Sequence, residues 1–257
     1  MRIDFSKRST EPEIIDDPNR LSHAEWMVTL RELRMVNRWL GGTSAILGAL
    51  KPLVQEIAQR EEGKKAVEVV DFGSGSADIA AALVRWARRK GYPIRVLAVD
   101  FNSLVCEIAQ QQSRRFPEIT ILQGDVRKPP LREVGCDLVL CSAFLHHFTN
   151  QEISKILGDL RLRTRVGILI SDLHRHPLAY FGIRLFLALF SRSEAVRRDG
   201  PLSVLKGFGR HDIRTILDSA AIAQSKVKWC WAFRYVVFIP AAPSCHSVLA
   251  TGRIANW

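Results

Sequence analysis

Short continuous runs of apolar residues alternate with stretches of helical spacing over most of the chain. Runs rich in β-branched residues are typical of parallel strands that are covered on both faces. The apolar runs fall within residues 67–71, 94–102, 119–131, 136–148, 165–173, 225–231 and 233–239. The helical stretches fall at 77–90, 103–115, 149–163 and 211–220. This alternation predicts an α/β fold with a doubly wound, mostly parallel sheet, and the last two strands are close enough in sequence to pair antiparallel.

Two further helices are predicted ahead of the alternating region. Residues 1–20 are charged and contain two prolines, which indicates an extended arm. Ser22 and Glu25 have capping-box spacing and open an amphipathic helix. Its apolar stripe consists of Trp26, Leu30, Leu33 and Leu40. Asn37 interrupts this stripe, so we expect it either to hydrogen-bond another helix or to contact a ligand. A second helix is expected over residues 43–60.

The segment from 178 to 190 is almost wholly apolar and lies between the fifth predicted strand and the helix at 211–220. It is shorter than the roughly 20 residues that cross a bilayer. Arg184 interrupts it, and other arginines stand on both sides of it. Three interpretations remain open: a lid helix that lines a pocket for a lipophilic acceptor, a helix in a membrane interface, or a buried core helix.

Composition narrows the class of protein. The chain of 257 residues carries a formal charge of +11, and its cationic residues are spread along its whole length. This spread favours the interpretation that the cations solvate the outer helices. Contact with a membrane surface ranks second among the interpretations, and nucleic-acid binding ranks last. The five cysteines form no C-x-x-C pair, so we predict neither disulfides nor a metal site. No apolar leader follows the first Met, so a cytoplasmic protein is expected, with peripheral contact at the inner membrane face as the alternative.

The sequence VEVVDFGSGSAD at 67–78 predicts a buried strand, a glycine turn and a helix. A plain connection between strand and helix is one interpretation of this pattern. A dinucleotide loop is disfavoured because Asp78 stands where G-x-G-x-x-G needs its third glycine, and a P-loop is disfavoured because no Gly-Lys-Ser/Thr follows. Glycines in such a turn let a ligand approach the main chain closely.

Polar side chains also stand at or just after the ends of the next three predicted strands. Asp100 closes the second strand, where a carboxylate can accept hydrogen bonds from ribose hydroxyls. Asp125 follows the third strand, and the sequence SAFLHHF follows the fourth. The four segments together resemble motif I and the later motifs of the class I S-adenosylmethionine-dependent methyltransferases, over roughly residues 65–240.

This resemblance implies a Rossmann-like, seven-stranded sheet with an antiparallel last strand inserted between its neighbours, and a helical cap at the N-terminus. It divides the chain into an arm and cap (1–60), a core (61–240) with a lid insertion at about 174–210, and a tail (241–257). S-adenosylmethionine is the implied cofactor. The implied cofactor-binding residues are Asp71, Gly73, Ser74, Gly75, Asp78, Asp100, Phe101, Asn102, Asp125, Val126 and Ser142.

Methyl transfer to a phenol or an activated carbon needs a base, and histidine suits this role near neutral pH. The candidates are His147 first, then His146, then His174. The segments at 174–180 and 199–205, with the apolar segment between them, are similar to a bacterial branch associated with type III polyketide synthases. This similarity implies a small lipophilic acceptor, phenolic, pyrone or quinone-like, and O- rather than C-methylation. The alternatives are an rRNA or tRNA methyltransferase, a non-catalytic cofactor-binding protein and a membrane-peripheral protein.

Overall fold

The described part of the computed structural model, residues 3–131 and 135–243, contains seven strands in one sheet. The strands are β1 (Val67–Phe72), β2 (Ile94–Asp100), β3 (Ile119–Gln123), β4 (Cys136–Ser142), β5 (Thr164–Leu173), β6 (Lys226–Cys230) and β7 (Arg234–Pro240). Their order is β3-β2-β1-β4-β5-β7-β6, and β7 runs antiparallel to both of its neighbours. The other pairings are parallel. The predicted fold class, including the inserted antiparallel last strand, is confirmed.

Eight α-helices accompany the sheet within the same described residues. They are α1 (His23–Trp39), α2 (Gly42–Arg60), α3 (Asp78–Lys90), α4 (Ser103–Ser113), α5 (Asn150–Arg163), α6 (Pro177–Phe190), α7 (Glu194–Lys206) and α8 (Arg210–Ser219). The predicted tail continues past the end of β7, and its residues from 244 onward lie outside the described part of the chain.

The sheet is buried on both faces, as its continuous apolar strands predict. Successive side chains of a strand point to opposite faces, so Val69 packs with α2 and α3 whereas Val70 packs with α5 and α8. Leu138 and Val139 of β4 divide in the same way. This double cover leaves the ends of the strands as the places where a ligand can reach the sheet.

The N-terminal arm has no helix or strand from residue 3 to residue 13, but it packs on the rest of the molecule. Arg8 donates to the carbonyl oxygens of Lys206 and His146, and its guanidinium lies 4.4 Å from the ring of Phe208. The arm ends in a 3₁₀ turn, Ile14–Asp16, whose first residue is buried. A charged terminal segment is therefore part of the folded core.

Helices α6 and α7 lie against each other between β5 and α8. Ile183 and Leu187 of α6 pack with Val196 and Val204 of α7. In α6 these two are the buried residues, and most of its other side chains are exposed. The interpretation of the 178–190 segment as a buried core helix is therefore wrong. No helix in the described residues is long and apolar enough to cross a membrane.

Candidate active site

A cavity of about 840 Å³ opens at the carboxyl ends of β1, β2 and β4. The turn from β1 to α3 forms one wall, and side chains of α1, α6 and α7 form the opposite wall. Open α/β sheets bind ligands at this end. The cavity is therefore where the sequence predicted a site, and it is large enough for a nucleoside-sized ligand together with a second small molecule.

The glycine turn shapes the cavity wall through two residues with positive φ. At Gly73 (φ +66°) an added Cβ would lie 2.2 Å from the ring of Phe144, so only glycine fits. At Gly75 (φ +52°) an added Cβ would meet nothing closer than Leu30, at 3.8 Å. The first glycine is therefore required by packing, whereas the second leaves its main chain open on the cavity side.

This difference makes a testable pair of substitutions. We expect Gly73→Ala to lower the free energy of unfolding by about 2–5 kcal/mol, because left-handed strain and overpacking add. Gly75→Ala should lower it by only about 1–2 kcal/mol of strain, but should weaken the binding of S-adenosylhomocysteine because the new methyl group projects toward the cavity. Thermal unfolding and titration calorimetry of both variants test this. Equal losses of stability would contradict the assignment.

Asp100 joins the glycine turn to the next helix. Its Oδ2 accepts a hydrogen bond from the Gly75 amide at 3.0 Å, and its Oδ1 accepts one from the Asn102 amide at 3.1 Å. Asn102 in turn caps α4 through its side-chain oxygen. Burial raises the pKa of Asp100. A carboxylate held by two main-chain amides has a fixed orientation and keeps lone pairs for a ligand's hydroxyl groups.

Two more carboxylates lie close to Asp100. Burial raises the pKa of Asp71 well above its ordinary value, and the charges of Asp78 and Asp100 raise it further. Burial also raises the pKa of Asp78, against the opposing charge of Arg34. The buried Asp71 Oδ2, Ser74 Oγ and Asn102 Nδ2 have no hydrogen-bond partner. Ser74 and Asn102 bring unpaired polar atoms to the cavity lining, and Asp78 and Asp100 bring acidic side chains. These groups suit a polar ligand with positive charge, and S-adenosylmethionine carries a sulfonium and an ammonium group.

Ten of the eleven residues predicted to bind the cofactor line this cavity. Asp71 is the exception, because its side chain is buried behind the cavity wall. Phe101 is exposed at the cavity rim. The Asp125 carboxylate is paired with Arg127, whose Nη2 lies 2.7 Å from its Oδ2. The cavity therefore gathers these side chains, while the role of each in cofactor binding stays a prediction.

Two histidines line the cavity, and a carboxylate orients each imidazole. His146 Nδ1 lies 2.7 Å from Asp172 Oδ1, and His147 Nδ1 lies 2.6 Å from Asp16 Oδ1. The hydrogen bond and charge of His147 outweigh the effect of burial and lower the pKa of Asp16. Against strong burial, the charge and hydrogen bond of His146 lower the pKa of Asp172 to about 2. An ionised carboxylate only accepts hydrogen bonds, so each Nδ1 donates its hydrogen to its carboxylate. In the neutral form of either imidazole, Nε2 is then the atom that can accept a proton.

Glu13 of the arm is the third acid in this group. Its side chain is fully buried, and neither carboxylate oxygen has a hydrogen-bond partner. It lies 3.8 Å from His146 Nε2, 4.0 Å from His147 Nδ1 and 3.6 Å from the Lys206 ammonium. Burial raises the pKa of Glu13. The ligand atoms of Glu13, His146 and His147 are close enough to hold a metal ion, but the adjacent ammonium disfavours a second cation there, so the cluster is better suited to proton transfer.

The third predicted base lies elsewhere. His174 is not among the residues that line the cavity. Its Nδ1 accepts a hydrogen bond from Trp229 Nε1 at 3.2 Å, and its ring packs against Tyr235. Burial lowers the pKa of His174. The structure therefore brings His146 and His147 together but leaves His174 outside the cavity lining. The His174 amide donates to the Phe233 carbonyl, which continues the pairing of β5 with β7.

Asn37 has a partner that the sequence did not indicate. Its Oδ1 accepts a hydrogen bond from Arg234 Nη2 at 3.0 Å, so the partner lies on a strand, not on another helix. Arg234 is buried, and its Nε and Nη1 have no hydrogen-bond partner. Both residues line the cavity. A guanidinium in an otherwise apolar wall provides a positive charge that an oxygen-bearing ligand can use.

Comparisons with known proteins agree with this geometry. Residues 69–167 match the family model described as "Methyltransferase domain". An uncharacterised methyltransferase-like protein of Schizosaccharomyces pombe is 24% identical over 101 residues, which are 39% of this chain and 36% of that protein. The match therefore spans about a third of the curated relative's length.

Solved structures give the same fold at low sequence identity. A S-adenosylmethionine-dependent methyltransferase from Aquifex aeolicus is similar with a TM-score of 0.54 and 17% identity, over 86% of this chain and all of that one. The CMeT domain of the citrinin polyketide synthase is similar with a TM-score of 0.54 and 10% identity, over 70% of this chain and 48% of that one. At such identities the likeness concerns the fold.

Proposed function

We propose that the chain is an S-adenosylmethionine-dependent methyltransferase that methylates an oxygen of a small lipophilic acceptor. The match of residues 69–167 to a methyltransferase domain supports the first part of this proposal. The acceptor class is phenolic, pyrone or quinone-like, and a polyketide is the preferred case. The observation that carries this proposal is the division of the cavity into a polar end and an apolar end, with the two histidines lining the same cavity.

The apolar part of the cavity supports a lipophilic acceptor. Side chains of α1, α6 and α7 supply nearly all of it. They include Leu33, Val36, Ile183, Phe186, Leu187, Val196 and Val204, and Leu40 adds to the wall one residue past the end of α1. An apolar wall of this kind favours binding of a ring or an alkyl tail. It offers few of the cationic and stacking contacts that a nucleic-acid strand needs. The polyketide class itself rests on the sequence features at 174–205, since the likeness to the citrinin synthase domain concerns fold alone.

His147 is the preferred base for an acceptor hydroxyl. Its side chain is 18% exposed in the cavity, against 4% for His146, so a ligand reaches it more easily. Asp16 holds its Nδ1 proton and leaves Nε2 to accept the proton of the acceptor. Glu13, close to both imidazoles, stabilises the imidazolium that forms. The bound cofactor supplies an activated methyl group, and the cavity holds the acceptor oxygen beside it.

The test is a transfer assay with methyl-labelled S-adenosylmethionine and matched acceptors. We expect kcat/KM for an alkylresorcinol or alkylpyrone with a long tail to exceed that of its methyl analogue by about tenfold or more, since each buried methylene contributes roughly 0.8 kcal/mol. The carbon chemical shift of the labelled product distinguishes O-methyl from C-methyl. Label transferred to rRNA or tRNA but not to these acceptors would overturn the proposal, and so would binding of the cofactor without turnover of any phenol or pyrone.

A further inference from the structure

Helix α6 presents an unbroken apolar surface to solvent. Leu178, Phe181, Leu185 and Leu189 are between 54% and 68% exposed. Their spacing places them on one side of the helix, opposite Ile183 and Leu187, which pack inward. Gly182 and Ala188 fill the remaining positions of the outward side. A contiguous apolar side of this kind is uncommon on the free surface of a protein and marks a contact surface.

Aromatic residues from other elements extend this surface. The ring of Trp39, at the end of α1, lies 6.1 Å from Phe186 and 6.0 Å from Phe190, and it is exposed. Trp231, in the turn between β6 and β7, is also exposed, and its carbonyl lies beside Gly41. We define the apolar face as Leu178, Phe181, Leu185, Leu189, Phe190, Trp39 and Trp231. Tryptophan is enriched where a protein meets the boundary between lipid and water.

The charged residues nearest in sequence to the apolar face have one sign. Every charged residue within two sequence positions of its members is a cation, namely Arg38, Arg184 and Arg192. All three are exposed. Helix α6 itself contains no acidic residue, and the whole chain carries a formal charge of +11. Cations around an apolar surface complement the anionic headgroups of a bilayer.

We infer that the apolar face docks on the surface of an anionic lipid bilayer, with α6 lying in the plane of the headgroups. The 14 residues of α6 measure roughly 21 Å along the axis, which is too short to cross the hydrocarbon layer. The arginines flank the face where their guanidinium groups reach the phosphates while the leucines and aromatic rings enter the lipid. A second copy of the chain fits this face less well, because a twofold contact would bring the same cations together.

The docked orientation has a consequence for the cavity. The inward side of α6 lines the cavity through Ile183, Phe186 and Leu187, and Leu178 and Trp231 belong both to its lining and to the apolar face. The mouth of the cavity therefore lies beside the lipid. A lipophilic acceptor reaches the cavity from the bilayer with little passage through water. This last step rests on the proposed function, whereas the docking itself does not.

Vesicle sedimentation of the full chain tests the docking independently of catalysis. The vesicles are phosphatidylcholine alone and an equimolar mixture of phosphatidylcholine and phosphatidylglycerol. We expect the wild type to bind the anionic vesicles, to bind the neutral ones more weakly, and to lose affinity with added salt. Leu185→Glu should weaken partitioning about tenfold or more, because it removes a leucine that enters the lipid on docking and adds a charge that the anionic lipid repels. The matched control is Leu162→Glu on α5, since Leu162 is 63% exposed and Leu185 is 64% exposed.

Each result decides the inference. Loss of binding in Leu185→Glu but not in Leu162→Glu supports it. Equal binding by both variants, or failure of the wild type to bind anionic vesicles, overturns it. A wild type that sediments as a dimer in solution without lipid, and that Leu185→Glu converts to a monomer, would assign the face to a second copy. Turnover of a short, soluble acceptor is measured alongside, so that failure of docking and failure of the proposed reaction are separated.

Discussion

Asp100→Ala is expected to weaken the binding of S-adenosylhomocysteine by about 10²- to 10⁴-fold. The Asp100 carboxylate lies at the end of β2 in the cavity wall, where a nucleoside offers two ribose hydroxyls. Each hydrogen bond to a charged group contributes roughly 1.5–3 kcal/mol, and two of them are lost. In the wild type the Asp100 carboxylate also accepts a hydrogen bond from the Gly75 amide at 3.0 Å, and the variant leaves that amide without this partner. Loss of that contact loosens the turn that faces the ligand.

Titration calorimetry with wild type, Asp100→Ala, Asp100→Asn and Glu107→Ala makes this measurement. Glu107 lies on α4, is exposed and does not line the cavity, so its removal changes the charge equally without touching the site. The amide of Asp100→Asn keeps one acceptor oxygen and should fall between the wild type and alanine. A loss of affinity in Glu107→Ala equal to that in Asp100→Ala would assign the effect to net charge and contradict the ribose role.

The pH dependence of binding provides a second check on Asp100. Burial raises the pKa of this carboxyl above its ordinary value of 3.8. Only the ionised form accepts hydrogen bonds through both oxygens. As the pH falls through the raised pKa, the carboxylate gains a proton and the affinity should fall, at a higher pH than for an exposed aspartate. Asp100→Asn should lack this part of the profile.

The polar end of the site could be predicted because it follows from sheet topology. The carboxyl ends of parallel strands meet at one edge, so residues just after β1, β2, β3 and β4 converge although they are far apart in sequence. The glycine turn at 73–75 identified the first strand, and the later strands could be placed by their order after it. Asp100 and Ser142 therefore fall in one cavity, as predicted. The antiparallel pairing of the two final strands was predictable because they are too close in sequence for a parallel crossover. The insertion of the last strand between its neighbours was predictable from the resemblance.

The acids behind the histidines could not be predicted, because tertiary packing alone brings them there. Asp16 and His147 are 131 positions apart. A charged segment at a chain terminus is usually solvated, and nothing in its composition indicates that Glu13 is buried. Arg234 lies in an apolar strand, where sequence gives no sign that its side chain returns to Asn37. The orientation of α6 was equally undetermined, since a helix that is apolar on all sides has no pattern to distinguish its inner side from its outer one.

His147→Gln is expected to lower kcat by about 10²- to 10⁴-fold, the usual contribution of a general base, while the affinity for S-adenosylhomocysteine stays within a few-fold of the wild type. Glutamine keeps the polarity of the position but cannot take a proton. The pH profile of kcat/KM with a phenolic acceptor should differ between the wild type and the variant, because only histidine can accept the proton of the acceptor. Asp16→Asn should give a smaller loss of kcat, because the imidazole remains but its orientation and tautomer are no longer fixed.

His211→Gln is the matched control for this prediction. His211 is exposed on α8 and does not line the cavity, so its replacement should leave kcat and the pH profile unchanged. A loss in His146→Gln with none in His147→Gln would move the role of the base to the Asp172 pair. If both histidine variants kept full turnover and the same pH profile, the two imidazoles would be structural. Catalysis would then depend on proximity alone, because the cavity would need only to hold an acceptor that is already ionised in water.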